Sequence, residues 1–378
     1  MKTIAYCCPL VPPEWIAAHG MQPEWLVPAG RSAAHAMRGV CPYAGALLAD
    51  AKSARSASAV VLTTRCDQMR RMAGLIEGTG RVKVFLMNVP ATWQTGAARQ
   101  LYKDELVRLG RFLDALGDHE GGPDNLLYCS RKEVAGVRST GFSRNPAEKP
   151  PKGGTTNGSF LSAGSVSGCR RHERFPDRSL SAVMFDYQQA RLSLCGARTS
   201  MPARRFAEAV LEVRGGRFAV PTPLDSPPPG DGIPLALVGG PLLPCDHEIF
   251  DMVQRAGGSI VLDATETGER TLPPPFDARR MADDPLESLV DAYFLGIPDV
   301  FRRPNDGLYD WLGRQMAARG VRGVVFRRYL WCDLWHAEFH RLKQWSPVPV
   351  LEIDVADDDE SVTCRTLGRI EAFLEMLR

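Results

Sequence analysis

The 378-residue sequence has no apolar run approaching the ~18 residues that a membrane span needs, so no membrane segment is expected. It also lacks an excess of either charge: 46 Lys and Arg against 44 Asp and Glu leave a formal net charge of +2. The global electrostatic footprint of a nucleic-acid or membrane-surface binder is therefore missing. The ten cysteines include no Cys-x-x-Cys pair, which removes the compact zinc knuckle. Met1-Lys2 and the apolar stretch Thr3–Val11 run into Pro12-Pro13-Glu14-Trp15 without a small-residue cleavage site. That opening reads as a first β-strand rather than a secretory leader. Ten cysteines without a leader imply reduced thiols and a cytoplasmic protein, not a disulfide framework.

What is present is an ordinary globular composition, 44% hydrophobic and 24% charged, long enough for two or three domains. Apolar runs of strand type alternate with helical periods. Thr3–Tyr6, Ala59–Leu62 and Val82–Val89 read as strands; Pro13–Ala18, Asp67–Ile76 and Gly96–Leu116 read as helices, with another starting near Pro42. The pattern resumes with strands at Ile233–Val238, Ser259–Asp263, Gly323–Phe326 and Val348–Ile353. Helices are expected at Asp246–Ala256, Pro285–Phe294, Leu308–Ala318, Cys332–Gln344 and Leu367–Leu377. Strand–helix alternation of this spacing implies parallel sheets with right-handed crossovers. The expected fold is α/β, with two doubly wound, flavodoxin-like domains at 1–128 and 231–378. Between them, 129–230 reads as a basic Gly/Ser/Pro-rich insertion and linker with some helix. Residues 131–180 hold ten Lys or Arg against four Asp or Glu, and Pro221–Pro229 is Pro-rich. The plainer reading of the basic segment is a solvated insertion; the sharper one is an arm for an acidic or phosphate-bearing partner.

Several cysteines fall just beyond strands or just before helices. Cys7-Cys8 follow the first strand, Cys66 follows Ala59–Leu62, Cys332 follows Gly323–Phe326, and Cys41 precedes the helix near Pro42. Open parallel sheets bind ligands beyond the carboxyl ends of their strands, and helix N-termini there favour thiolate. Three or four thiolates at such a crevice suit a soft metal centre, an iron–sulfur cluster or zinc. Spacing alone is weak evidence for this, since a free cysteine is most often a small buried hydrophobe.

Five segments occur in order: Tyr6-Cys7-Cys8-Pro9-Leu10-Val11-Pro12-Pro13-Glu14, Val40-Cys41-Pro42-Tyr43, Thr63-Thr64-Arg65-Cys66-Asp67-Gln68-Met69-Arg70-Arg71, Trp331-Cys332-Asp333 and Arg369-Ile370-Glu371-Ala372-Phe373-Leu374-Glu375-Met376-Leu377. Together they resemble the 2-hydroxyacyl-CoA dehydratase family, which includes ATP-dependent benzoyl-CoA reductase subunits and double-cubane-cluster proteins. The resemblance covers roughly residues 1–118 and 230–378. It implies a [4Fe–4S] cluster in the cleft between the domains, held by Cys41, Cys66 and Cys332, with the fourth iron open to substrate. Cys8 matches a further family cysteine, to be weighed between a cluster or pocket role and packing. The Gly/Ser-rich middle departs from relatives, which carry charged amphipathic helices there.

The activity so implied is an oxygen-sensitive, dehydratase-like lyase acting on an acyl-CoA thioester through a ketyl radical. Its implied partners are an ATP-hydrolysing iron–sulfur activator protein and a homologous second subunit or second copy. The alternatives are a benzoyl-CoA reductase-like or double-cubane [8Fe–9S] reductase that recruits Cys8 and Cys129, a non-catalytic electron relay, and a zinc-bound or metal-free binding protein. His336, one turn before His340 and near Cys332, is the candidate proton donor; its plain alternative is a histidine stacked among Trp331, Trp335 and Phe339. Glu14 is the second candidate acid–base group, and Glu14 and Asp67 have helix capping as their alternative. Arg270, Arg302 and Arg303 are candidate phosphate or carboxylate contacts, and Gly239-Gly240-Pro241 reads as a turn. Cys129, Cys169, Cys195, Cys245 and Cys364 read as structural or incidental.

Overall fold

A strand buried on both faces can be apolar throughout, as Ala59–Leu62 and Leu235–Val238 are here. In the computed structural model, which describes residues 1–28, 39–53, 57–117, 179–218, 232–356 and 360–378, eight strands form two parallel sheets. In the first, β1 (Thr3–Tyr6) pairs with β2 (Gln22–Trp25) and β3 (Ala59–Thr63), and β3 pairs with β4 (Lys83–Met87). The second repeats that connectivity. There β5 (Ile233–Gly239) pairs with β6 (Gly258–Ala264) and β7 (Gly323–Tyr329), and β7 pairs with β8 (Val350–Val355). Each sheet thus has the order second, first, third, fourth, as expected of two flavodoxin-like halves. Among the described residues no helix is long and apolar enough to cross a membrane.

Alternation along the strands sorts their side chains into separate interiors. Ile4, Tyr6, Val61 and Met87 pack with α1 (Pro13–Ala18) and with Tyr102, Leu106 and Leu109 of α4 (Gly96–Gly117). Ala5, Val60 and Leu62 face the other way, towards Leu47 of α2 (Pro42–Ser53) and Ile76 of α3 (Asp67–Glu77). That second interior continues without a break into Leu235, Leu237 and Val325 of the other sheet. It reaches Val253 of α7 (Glu248–Arg255) and Leu374 of α12 (Glu360–Leu377). Ala236, Val238 and Phe326 instead face α10 (Asp306–Ala318) and α11 (Asp333–Trp345). The two sheets therefore share one apolar interior, which sets their separation.

Four elements lack a clear signal in the sequence. Strand β2, Gln-Pro-Glu-Trp, is an edge strand, where a proline costs no ladder bond. Helix α5 (Leu180–Gly196) buries Val183, Met184, Tyr187 and Leu194 but exposes Phe185 and Leu192, which blurs its period. Helices α6 (Ala203–Arg214) and α8 (Ala278–Asp283) are too rich in arginine and alanine to stand out. Elsewhere the boundaries shift. The helix expected over Pro285–Phe294 is α9 (Pro285–Val290) followed by a π-helical turn at Asp291–Leu295. The helix expected from Asp246 begins as a 3-10 turn, Pro244–His247. Strand β7 runs three residues past its apolar run because Arg327 and Arg328 are neutralised in place, by Asp246 and by Glu352 and Asp354. The basic segment up to Arg178, with Cys129 and Cys169, and the Pro221–Pro229 linker lie outside the described residues.

Gly239 ends β5 beside Arg327 of β7, and a Cβ there would land on the Arg327 carbonyl oxygen. Gly74, inside α3, has open space at the same position. Gly239→Ala is expected to cost about 2 kcal/mol or more by urea unfolding, whereas Gly74→Ala should gain about 0.5–1 kcal/mol from helix propensity.

Candidate metal centre

The carboxyl ends of both sheets open onto one cavity of about 50 Å³. From the first sheet come Cys7 and Cys8, directly after β1, and Thr63, Arg65 and Cys66 at the end of β3, with Cys41 and Tyr43 where α2 begins. From the second come Pro241 after β5, Glu266 after β6, and Cys332 with Leu334 and Trp335 after β7. Five of the chain's cysteines thus line one space.

Three of those thiols sit where a helix starts. Cys66 and Cys332 hold the N-cap positions of α3 and α11 without a side-chain cap hydrogen bond, and the nearby first-turn amides, those of Gln68 and Met69 and that of Trp335, act to lower their pKa values. Cys41 immediately precedes α2, and the amides of Tyr43 and Ala44 act on it in the same direction. The positive ends of three helices therefore lie beside sulfur. The sequence alone led to an expectation of lowered thiol pKa values. Instead burial outweighs the amides: it pushes Cys332 up to about 12 and raises Cys41 and Cys66 as well. Cys41 is also raised by its neighbours Cys332 and Cys66, which places the three sulfurs in mutual electrostatic reach. Cys7 and Cys8 are raised by burial too. In the metal-free chain these five thiols stay protonated at neutral pH, and a metal binding them must displace protons.

A buried guanidinium spans the cavity. Arg65, next to Cys66, donates from Nη2 to Glu266 Oε2 at 2.7 Å and from Nε to Asp299 Oδ1 at 2.9 Å. Asp299 also takes the Arg270 guanidinium at 3.3 Å. Burial pushes the Asp299 carboxyl up, but Arg65 and Arg270 outweigh it and hold it down at about 2. The two carboxylates answer the two guanidiniums, so the thiols receive no free cation from this wall.

Two donors of the lining have no acceptor. The Tyr43 hydroxyl and the Trp335 indole N–H are buried and make no hydrogen bond within the described structure. A buried donor left unmade costs about 1–3 kcal/mol, so two at one cavity need an acceptor that only an occupant supplies. Among the described residues no three His, Cys, Asp or Glu side chains close round a single ion. Thiols spread over separate elements, with two donors left for bridging sulfur, fit a multi-atom iron–sulfur cluster better than one zinc.

The structure brings Cys8, Cys41, Cys66 and Cys332 together and leaves the two acid–base candidates elsewhere. Glu14 is fully buried on α1, paired with Arg191 at 2.5 Å and accepting from the Tyr293 hydroxyl at 2.6 Å; α1 has no side-chain cap bond. His336 is exposed on α11 against Arg328, apart from the aromatic side chains, and His340 is exposed beside Phe339. Neither Glu14 nor His336 lines the cavity. Asp67 is a surface residue paired with Arg70 at 2.9 Å. Arg270 and Arg302 are buried and spend their guanidiniums on backbone carbonyls, Arg270 also on Asp299. Arg303 donates to the carbonyls of Val300 and Arg302.

Sequence reasoning placed Cys7 after the first strand but gave it no role, and it did not single out Tyr43, Arg65, Glu266 or Trp335. Cys7, Tyr43 and Arg65 lie inside the quoted cysteine segments, and Trp335 lies three residues beyond Cys332, so adjacency was the available signal. Glu266 offered only its place after a strand. Residues 8–377 match the family model described as 2-hydroxyglutaryl-CoA dehydratase, D-component. No curated protein matches the chain.

Thiol chemistry should report this burial directly. In the folded, metal-free protein at neutral pH, iodoacetamide is expected to label exposed Cys245 and Cys364 well before Cys7, Cys8 and Cys41. Peptide mass spectrometry over a time course checks the order; early modification of Cys41 would contradict it.

Proposed function

The chain belongs to the 2-hydroxyglutaryl-CoA dehydratase D-component family, and on that premise we propose that it is the iron–sulfur subunit of an enzyme dehydrating a 2-hydroxyacyl-CoA thioester. The observation that carries this reading is the convergence of Cys41, Cys66 and Cys332, each at a helix start, on one cavity between the sheet ends. These three thiolates would hold a [4Fe–4S] cluster. When bound, such a group supplies one-electron reduction and Lewis acidity towards a substrate oxygen.

The protein's own groups have separable tasks. The helix amides at the three sulfurs offset part of the burial cost of the thiolates. Arg65 locks the Cys66 loop to Glu266, on the cavity wall after β6, and to Asp299 of the other half. Burial keeps the Tyr43 hydroxyl protonated, so it stands as an O–H donor at the cavity wall, with Trp335 Nε1 as a second donor. Cytoplasmic placement, an ATP-hydrolysing activator and a homologous second subunit complete the proposal. They rest on the family and on the cysteine content.

A larger, double-cubane-type centre is the second reading, favoured by Cys7 and Cys8 on the same cavity. Metal content separates the two. Anaerobically purified protein is expected to hold about four irons and four sulfides per chain. Cys41→Ala, Cys66→Ala and Cys332→Ala should each lose most of the iron and the brown absorption, while Cys195→Ala keeps both. About eight irons, halved by Cys8→Ala, would establish the larger centre. Retention of iron by Cys66→Ala would overturn the ligand set.

A further inference from the structure

A second cavity, of about 190 Å³, lies on the far side of Asp299 from the cysteines. It forms where the first half meets the second. Thr92 bridges to Arg303, the Arg303 amide donates to the Ala91 carbonyl at 3.0 Å, and Trp93 Nε1 donates to the Pro304 carbonyl at 2.8 Å. Trp93 and Trp311 line it, together with the first turn of α10 at Gly307.

Its polar groups converge on one kind of ligand. Asp299 is the sole carboxylate of the lining, and both its oxygens are taken, by Arg65 and the Phe301 amide and by Arg270. The uncommitted charge is positive: Arg314 lines the cavity, is exposed, and has no ion-pair partner in the described structure. Asn305, the N-cap of α10, is 4% exposed. Its Oδ1 accepts from Arg341, but its Nδ2 has no partner. Its side chain does not cap the helix, so the first-turn amides of this 13-residue helix keep their pull on an anion. Asp306 does not line the cavity and pairs with Arg341. Two indoles offer stacking surfaces, while a guanidinium, a helix N-terminus and a buried amide N–H call for an anion and an acceptor.

We propose that this cavity binds a phosphorylated nucleoside. The ring lies against Trp93 and Trp311, the phosphate is drawn by Arg314 and the start of α10, and Asn305 Nδ2 makes the buried hydrogen bond. The same group is carried by the nucleotide end of a coenzyme A thioester and by a free nucleotide such as ADP. The proposal does not depend on metal at the cysteines.

The test is calorimetric titration of the full chain with ADP, 3′,5′-ADP, coenzyme A and inorganic phosphate. Saturable nucleotide binding is expected, weakened about tenfold or more in Asn305→Leu and in Arg314→Glu. Trp311→Ala should weaken the nucleotides and leave phosphate unaffected. Tighter binding of coenzyme A and 3′,5′-ADP than of ADP would identify a coenzyme A subsite, and the reverse order a free-nucleotide site. Absence of saturable binding, affinities unchanged in both Asn305→Leu and Arg314→Glu, or phosphate binding as well as any nucleotide would overturn the proposal. Iron content measured on the same variants separates failure here from failure of the cluster reading, because none of these residues lines the cysteine cavity.

Discussion

Everything at the centre of this protein depends on one buried cation. Arg65 arrives on the first sheet and is neutralised only by Glu266 and Asp299, which arrive on the second half. Desolvating such a guanidinium is tolerable only with both partners in place; removing one carboxylate from a buried pair typically costs about 3–5 kcal/mol. The loop carrying Glu266 is itself held by Arg214, which donates to the Glu266 carbonyl at 3.2 Å and the Gly268 carbonyl at 3.3 Å. Arg270 ties Asp299 to the Ala264 and Pro298 carbonyls. The two halves are thus joined by a polar lattice laid over a shared apolar interior.

That arrangement explains why the cavity tolerates five thiols and two unpartnered donors. The apolar interior sets how far apart the sheets stand, and the Arg65 clamp ties the Cys66 loop to the loop that follows β6. The thiols therefore do not need to attract one another; in the metal-free chain burial keeps them neutral. The helix amides matter once protons leave, because they then face thiolates rather than thiols. Pre-organisation here means that the cost of assembling the cavity is met by packing and ion pairing remote from sulfur.

Much of this was legible in the sequence, and the gaps have physical causes. Apolar runs such as Ala59–Leu62 and Ile233–Val238 announce strands buried on both faces, so both sheets could be expected, with Cys66 and Cys332 just beyond strand ends; grouping Cys41 with them rested on the resemblance to the family. Strand β2 was hidden because an edge strand needs neither apolar residues nor every amide. The last residues of β7 were hidden because Arg327 and Arg328 become strand-compatible only when Asp246, Glu352 and Asp354 are present. The same holds for Glu266 and Asp299: a carboxylate's function as a clamp is a property of its distant partner. Glu14 and His336 illustrate the converse. Their closeness in sequence to Cys8 and Cys332 did not carry over to the cavity, because a helix turns successive side chains to different faces.

The cysteines of the cavity also impose an order on the protein's biosynthesis. Cys41 and Cys66 emerge from the ribosome early, whereas Cys332 follows the seventh of eight strands, and β7 must slot beside β5 before its end can face the first sheet. Contacts this distant in sequence close late, after the entropy of a very long loop has been overcome. A nascent chain therefore presents an incomplete thiol set until β7 and the residues after it have emerged, which defers closure of the five-thiol cavity to that point.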